Sequence, residues 1–206
     1  MTIKRTLCGA PIALLATMAH AQMVNKPIWV SAGWNNLLNS DARDATSASG
    51  FQVGVGYHFG YQKSSGYSYD PSLDLTWARN TGNSNRLDTF ALLAMARAPF
   101  SAQPPSAKNA FVPYYGLGIG IARNSFVGSG PAGGSSGGGG SQALLVKPHT
   151  LGGTGTGSAS DYTLAARALI GVSFADMYFA ELAYNYNGIL EGSRIDSVTL
   201  TVGVRF

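Results

Sequence analysis

The run Val198-Thr-Leu-Thr-Val-Gly-Val-Arg-Phe206 alternates without interruption. Val198, Leu200, Val202, Val204 and Phe206 are apolar, and Thr199, Thr201, Gly203 and Arg205 between them are polar or small. Successive side chains of a strand point to opposite faces, so this stretch has one greasy face and one wet face. On a helix the same residues would be spread around the axis and no stripe would form.

The rhythm recurs in seven further windows. The first spans 27–36, with Ile28, Val30, Ala32 and Trp34 on one face. In 51–61, Phe51, Val53, Val55, Tyr57, Phe59 and Tyr61 alternate with Gln52, Gly54, Gly56, His58 and Gly60. In 67–78, Tyr67, Tyr69, Leu73, Leu75 and Trp77 oppose Ser68, Asp70, Ser72, Asp74 and Thr76. The window 87–98 is apolar on both faces; Phe90, Leu92, Ala94 and Ala96 outward leaves Arg97 inward. The remaining windows are 113–123, 162–174 and 178–186, and the closing run itself belongs to a window over 194–206.

Composition says what lies against the greasy face. Only 12% of residues are charged, where soluble domains carry roughly 25%. The chain has 27 Gly and 10 Tyr, yet no long apolar run follows residue 21. Few charges, many aromatics and strand-length segments favour a barrel facing lipid over a water-soluble sandwich. The expected fold is all-β: an eight-stranded antiparallel up-and-down transmembrane β-barrel.

Residues 1–21 read as a secretory signal peptide. Lys4 and Arg5 precede a short apolar stretch, and Ala19-His20-Ala21 gives the small-x-small cleavage pattern. The apolar stretch is shorter than the roughly 20 residues a spanning helix needs. Cleavage would remove Cys8, the single cysteine, before export to an oxidising compartment. It would also take the formal charge from +4 to +2, so basicity gives no argument for nucleic acid. Residues 22–206 then form one barrel domain.

With the first strand running outward, both termini are periplasmic. The outer loops are 37–50, 79–86, 124–161 and 187–193, and the inner turns are 62–66, 99–110 and 175–177. The long Gly/Ser-rich connection therefore falls outside and the shortest turn inside, as barrels of this kind require. Its Gly133-Gly-Ser-Ser-Gly-Gly-Gly-Gly-Ser141 run is of linker composition. Tyr57, Phe59, Tyr61, Tyr67, Tyr69, Tyr115, Phe174, Tyr178 and Phe206 collect at one rim, and Trp34, Phe51, Trp77, Tyr162, Tyr184 and Tyr186 at the other. Amphipathic rings prefer such interfacial belts.

The same phases send charge inward. His58, Asp70, Asp74, Arg167, Glu181 and Arg205 face the lumen, and a polar network of these residues is expected to close it. If Tyr61 pairs with Tyr67, His58 stands directly opposite Asp70. Inward Gly54, Gly56, Gly116, Gly118, Gly120, Gly171 and Gly203 leave room for long polar side chains. Arg123, Arg194 and Asp196 face outward near the outer rim, where lipopolysaccharide phosphates could accept the arginines.

No catalytic, cofactor or metal site is expected. Gly116-x-Gly118-x-Gly120 has the wrong spacing for a dinucleotide loop, and no helix follows it. After cleavage only His58 and His149 remain, and no cysteine, a poor set for a protein-built zinc site. A Ser-His-Asp arrangement around His149 rests only on an abundance of serines.

The ending Val198 to Phe206 resembles the closing strand of bacterial outer-membrane barrels, whose terminal Phe is read by the assembly machinery; Phe206 takes that place. Pro113-Tyr-Tyr-Gly-Leu-Gly-Ile-Gly-Ile-Ala122 is similar to the Gly-alternating central strand of opacity-type proteins and the OmpA transmembrane domain. The resemblance covers residues 22–206. It implies an outer-membrane monomer in contact with lipopolysaccharide, delivered by periplasmic chaperones and the barrel-assembly machinery. It also implies a non-enzymatic role in surface interaction or envelope integrity, with loops touching a host or cell-surface ligand. A narrow solute channel is the alternative, and a lipid A-modifying enzyme a distant third. Eight-stranded lipid A deacylases carry His-x-Ser on the strand matching 178–186. Here that region reads Ala183-Tyr-Asn-Tyr-Asn-Gly188. The Asp/His cluster of omptin-type proteases, which need ten strands, is absent as well.

Overall fold

A strand leaves a row of backbone donors and acceptors on each edge, and in lipid only a sheet closed on itself satisfies them all. The computed structural model describes residues 26–64, 67–82, 84–100, 111–128, 157–175 and 177–206. They form β1 (Ile28–Leu37), α1 (Ser40–Ala45), β2 (Ser49–His58), β3 (Gln62–Ser64), β4 (Tyr67–Gly82), β5 (Asn85–Pro99), β6 (Phe111–Gly128), β7 (Gly157–Phe174), β8 (Tyr178–Leu190) and β9 (Ser193–Arg205). Each long strand pairs antiparallel with its neighbours in chain order, and β1 pairs with β9, so the sheet closes. The seam is completed by Phe206 N–H donating to the Ile28 carbonyl at 2.7 Å and Ile28 N–H to the Phe206 carbonyl at 3.3 Å.

The barrel has eight strands, because β3 continues the line of β2 along β4. From His58 to Gln62 the chain takes four steps while β4 takes three, Ser72 to Tyr69. The extra residue is a bulge, and Gly60 there adopts φ 90°, a conformation glycine takes without strain. The uninterrupted strand expected over 51–61 therefore ends at His58. The expected outer loops also shrink. β4 and β5 run to a tight turn around Ser84, β8 and β9 to one at Glu191-Gly192, and 37–50 encloses α1. The expected signal peptide and most of the two longest connections, 101–110 and 129–156, lie outside the described residues.

Outside, the wall is apolar. Ile28, Val30, Leu73, Leu75, Leu92, Ile119, Ile121, Leu164 and Val202 are all exposed on the barrel surface. Phe90, Leu92 and Ala96 of β5 are outward and Arg97 is buried inward, the phase chosen for that ambiguous strand. The inner face is divided. Leu93, Met95, Leu169, Ala165 and Ala183 form an apolar patch on β5 to β8. Polar Asn35, Gln52, Thr76, Asn185 and Thr199 fill the rest.

Candidate functional site

Alternation on β4 places Asp70, Ser72 and Asp74, two residues apart, on the inner face, and all three are buried. The adjacent strand β5 presents Arg97, and across the lumen β7 presents Arg167 and β8 presents Glu181. These meet in one cluster. Arg97 places Nη2 2.7 Å from Asp74 Oδ2 and Nε 2.9 Å from Glu181 Oε1. Arg97 Nη1 also donates to Ser72 Oγ at 2.6 Å, and Ser72 Oγ donates to Asp74 Oδ1 at 2.7 Å. Tyr114 OH donates to Glu181 Oε1 at 3.0 Å, while Arg167 Nη2 reaches Glu181 Oε2 at 3.4 Å.

Two arginines thus offset two carboxylates, and the cluster is neutral. That balance matters, because an unpaired charge removed from water costs several kcal/mol. The guanidinium of Arg97 also lies 5.6 Å from the ring of Trp29, which is almost fully buried inside the barrel. Trp29 in turn packs edge-on against Phe179 at 5.7 Å.

His58 and Asp70 lie toward the terminal rim, with Nδ1 2.7 Å from Oδ2. They are not directly opposed: His58 pairs with Ser72 in the ladder. The register is two residues away from the expected one, and the contact forms on the diagonal, within reach of long side chains. The contact lacks hydrogen-bond alignment. Arg205 stands apart from both groups. It donates to Ser173 Oγ at 3.2 Å and covers the ring of Phe179 at 5.4 Å. Of the six lumen residues read from the sequence, Asp74, Arg167 and Glu181 share one cluster, His58 and Asp70 form a second, and Arg205 a third.

The hub, Arg97, was read as inward but not as part of a network. Tyr114 and Trp29 were missed, and Ser72, read as inward, was not read as a partner of the charged groups. Their signal was available, since each occupies the inward phase of an alternating strand beside an outward Leu73, Tyr115 or Ile28. The inward glycines serve mainly apolar neighbours rather than polar ones. A Cβ at Gly56 would fall on the indole of Trp29, one at Gly118 on Met95, one at Gly171 on Tyr114 and one at Gly203 on Phe179.

The other mouth is covered by the β1–β2 connection. Asn39 caps α1, its Oδ1 accepting from Asp41 N–H at 2.9 Å and Ala42 N–H at 3.2 Å. Ala42 and Ala45 then pack against Leu37, Leu87, Leu190 and Ile195, a buried apolar layer above the lumen. Asn85 Nδ2 holds the Ala45 carbonyl at 2.6 Å, and Asn80 Nδ2 holds those of Ser47 and Ala48. No local period in 37–50 signals so short a helix.

Ser72 Oγ is engaged by Asp74 and Arg97, not by His58. Among the described residues no three His, Cys, Asp or Glu side chains converge as metal ligands would.

A closed sheet of eight strands in chain order, apolar outside and polar within, defines a small β-barrel of the Gram-negative outer-membrane type. No protein-family model matches the chain, and no curated protein matches it in sequence. Solved structures do resemble it. Neisserial surface protein A is 19% identical over 87% of this chain and 96% of its own, with a TM-score of 0.54. The outer membrane enzyme PagL is 16% identical over 86% and 99%, with a TM-score of 0.50. Ail, the attachment invasion locus protein of Yersinia pestis, solved with the heparin analogue sucrose octasulfate, is 13% identical over 89% and 100%, with a TM-score of 0.46. At these identities the likeness is one of fold.

Proposed function

We propose that this protein is a non-enzymatic display barrel of the outer membrane, with both termini periplasmic and its loops offered to other surfaces. The observation that carries this reading is the closure of the lumen at two levels. A neutral ion cluster around Arg97 fills it near the termini, and the α1 layer covers the opposite mouth. Eight strands leave an interior that side chains can fill, and here they fill it.

Strand length supports display. β6 and β7 have 18 residues each, whereas about 9–11 tilted residues cross a bilayer. Their hairpin stays paired as far as Gly128 and Gly157, so it forms a stalk longer than the membrane-crossing part of the barrel needs. An enzymatic role finds less support. β8 has neither His nor Ser in Ala183 to Gly188, where lipid A deacylases carry their pair.

Two measurements test the proposal. In a planar bilayer the refolded protein should give no steady channel, and a stable nanosiemens-scale conductance would replace display by transport. On intact cells, added protease should cut within 129–156 and leave the termini protected. Cleavage of the termini instead would invert the orientation. Altered lipid A in a strain overproducing the protein would restore the enzymatic reading.

A further inference from the structure

Three outward arginines gather on one side of the barrel, at the rim away from the termini. Arg79 of β4 and Arg86 of β5 both bind Asp88, at 2.7 and 2.9 Å. Arg123 of β6 is opposite Phe90 in the ladder, one outward step below Asp88. Among the described residues Arg123 makes no ion pair, and its guanidinium lies 5.9 Å from the ring of Tyr162. Asp161, the next carboxylate along this rim, occupies the other phase of β7 and engages the N–H of Tyr162. The patch therefore has three arginines and, among the described residues, one carboxylate in ion-pair contact with them, Asp88. It differs from the rim at Arg194, which is matched one to one by Asp196 at 3.1 Å.

Its depth is fixed by aromatic neighbours. Phe51 meets Trp77 edge-on, Trp77 stacks on Phe90, and Arg79 lies 4.8 Å over the Trp77 ring. Such rings mark the boundary between acyl chains and headgroups, so the guanidinium groups sit at the height of lipid phosphates. Arginine forks match phosphate oxygens bidentately. Two outward steps below Arg123, roughly 13 Å along the strand, the surface changes shape. Leu117 and Ile119 form a ridge, and Ala94 with Ala96 on one side and Ala166 with Ala168 on the other leave furrows beside it.

We propose that this face is a binding site for one phosphorylated, multiply acylated glycolipid of the outer leaflet. Its phosphate groups bridge Arg123, Arg86 and Arg79, and its acyl chains lie in the alanine furrows. Excess positive charge selects an anionic headgroup, and furrows aligned beneath it select a lipid over a free phosphate. The identity of the lipid rests on the orientation proposed above, but binding in micelles does not depend on orientation, so the two ideas fail separately.

The test is native mass spectrometry of the refolded protein in detergent with bisphosphoryl lipid A. Wild-type protein should retain one lipid. Arg123→Ala and Arg86→Ala should each weaken retention about tenfold, the effect of losing one charge-assisted contact. Arg194→Ala should leave it unchanged, and dephosphorylated lipid A should not be retained. Heat-modifiable gel mobility confirms that each variant is folded. Wild-type retention by the Arg86→Ala/Arg123→Ala double variant would overturn the proposal. So would equal loss in Arg194→Ala, or displacement of the lipid by equimolar pyrophosphate, which would mean that phosphate alone suffices.

Discussion

Arg97 and Glu181 lie on strands that do not touch, β5 and β8, and join across the lumen at 2.9 Å. Arg97 also holds Asp74, so its loss would leave one buried carboxylate without a cation and another with only the longer Arg167 contact. Arg97→Met should therefore destabilise the refolded barrel by about 3–5 kcal/mol. Glu181→Gln keeps the shape but leaves two buried arginines against one carboxylate, and should also cost about 3–5 kcal/mol. Urea unfolding in detergent micelles reads both, and equal, small effects would show the cluster to be energetically idle.

Gly56 meets Trp29 across the β1–β2 pair, where a Cβ would fall on the indole ring. Gly56→Ala must push the indole toward Arg97 and Phe179, and overpacking of this kind costs about 1–3 kcal/mol. Trp29→Phe should cost stability alone but restore part of it in the Gly56→Ala background. A double-mutant cycle with no coupling would mean that the wall yields instead of the ring.

Burial of Ala45 beneath α1 makes the outer cover testable by itself. Ala45→Asp places a carboxylate among Leu37, Leu87, Leu190 and Ile195, an environment that offers it no cation. The cover should open while the barrel persists. Trypsin cleavage at the exposed Arg43 should then rise at least about tenfold with heat-modifiability retained. Unchanged cleavage would show that the layer contributes little to holding α1 down.

Phe206 is outward and exposed, and its backbone completes the β1–β9 seam. Its removal should sharply lower outer-membrane levels in cells. Refolding in detergent should survive, with a loss of about 1–3 kcal/mol for two backbone hydrogen bonds. Normal levels of the truncated protein would remove Phe206 from any role in assembly.

Which face each residue occupies was legible in the sequence, because a period of two allows only two answers and charge decides between them. Asp74, Arg167 and Glu181 were placed inward on that ground alone. Register was not legible, since sliding a strand by two residues preserves every face. That is why His58 faces Ser72 while still reaching Asp70. Arg97 was overlooked as the hub because both faces of its strand are apolar, and a single inward cation does not name its partners. α1 left no trace, since six residues are too few to show a helical period. The break after His58 was hidden because Gly60 fits an alternating strand as readily as a bulge.

The seam between β1 and β9 joins the two strands most distant in sequence. No partial set of strands can satisfy its own edges, and in hydrocarbon each bare donor or acceptor costs several kcal/mol. Folding intermediates are thus disfavoured in both directions, and assembly needs something that covers the open edge until β9 arrives. Once the row from Trp29 and Arg205 to Leu37 and Ser197 is zipped, leaving the membrane means breaking it nearly as a unit. The lifetime of this protein in the bilayer is then governed by a rate, not by the small balance of its interactions at equilibrium.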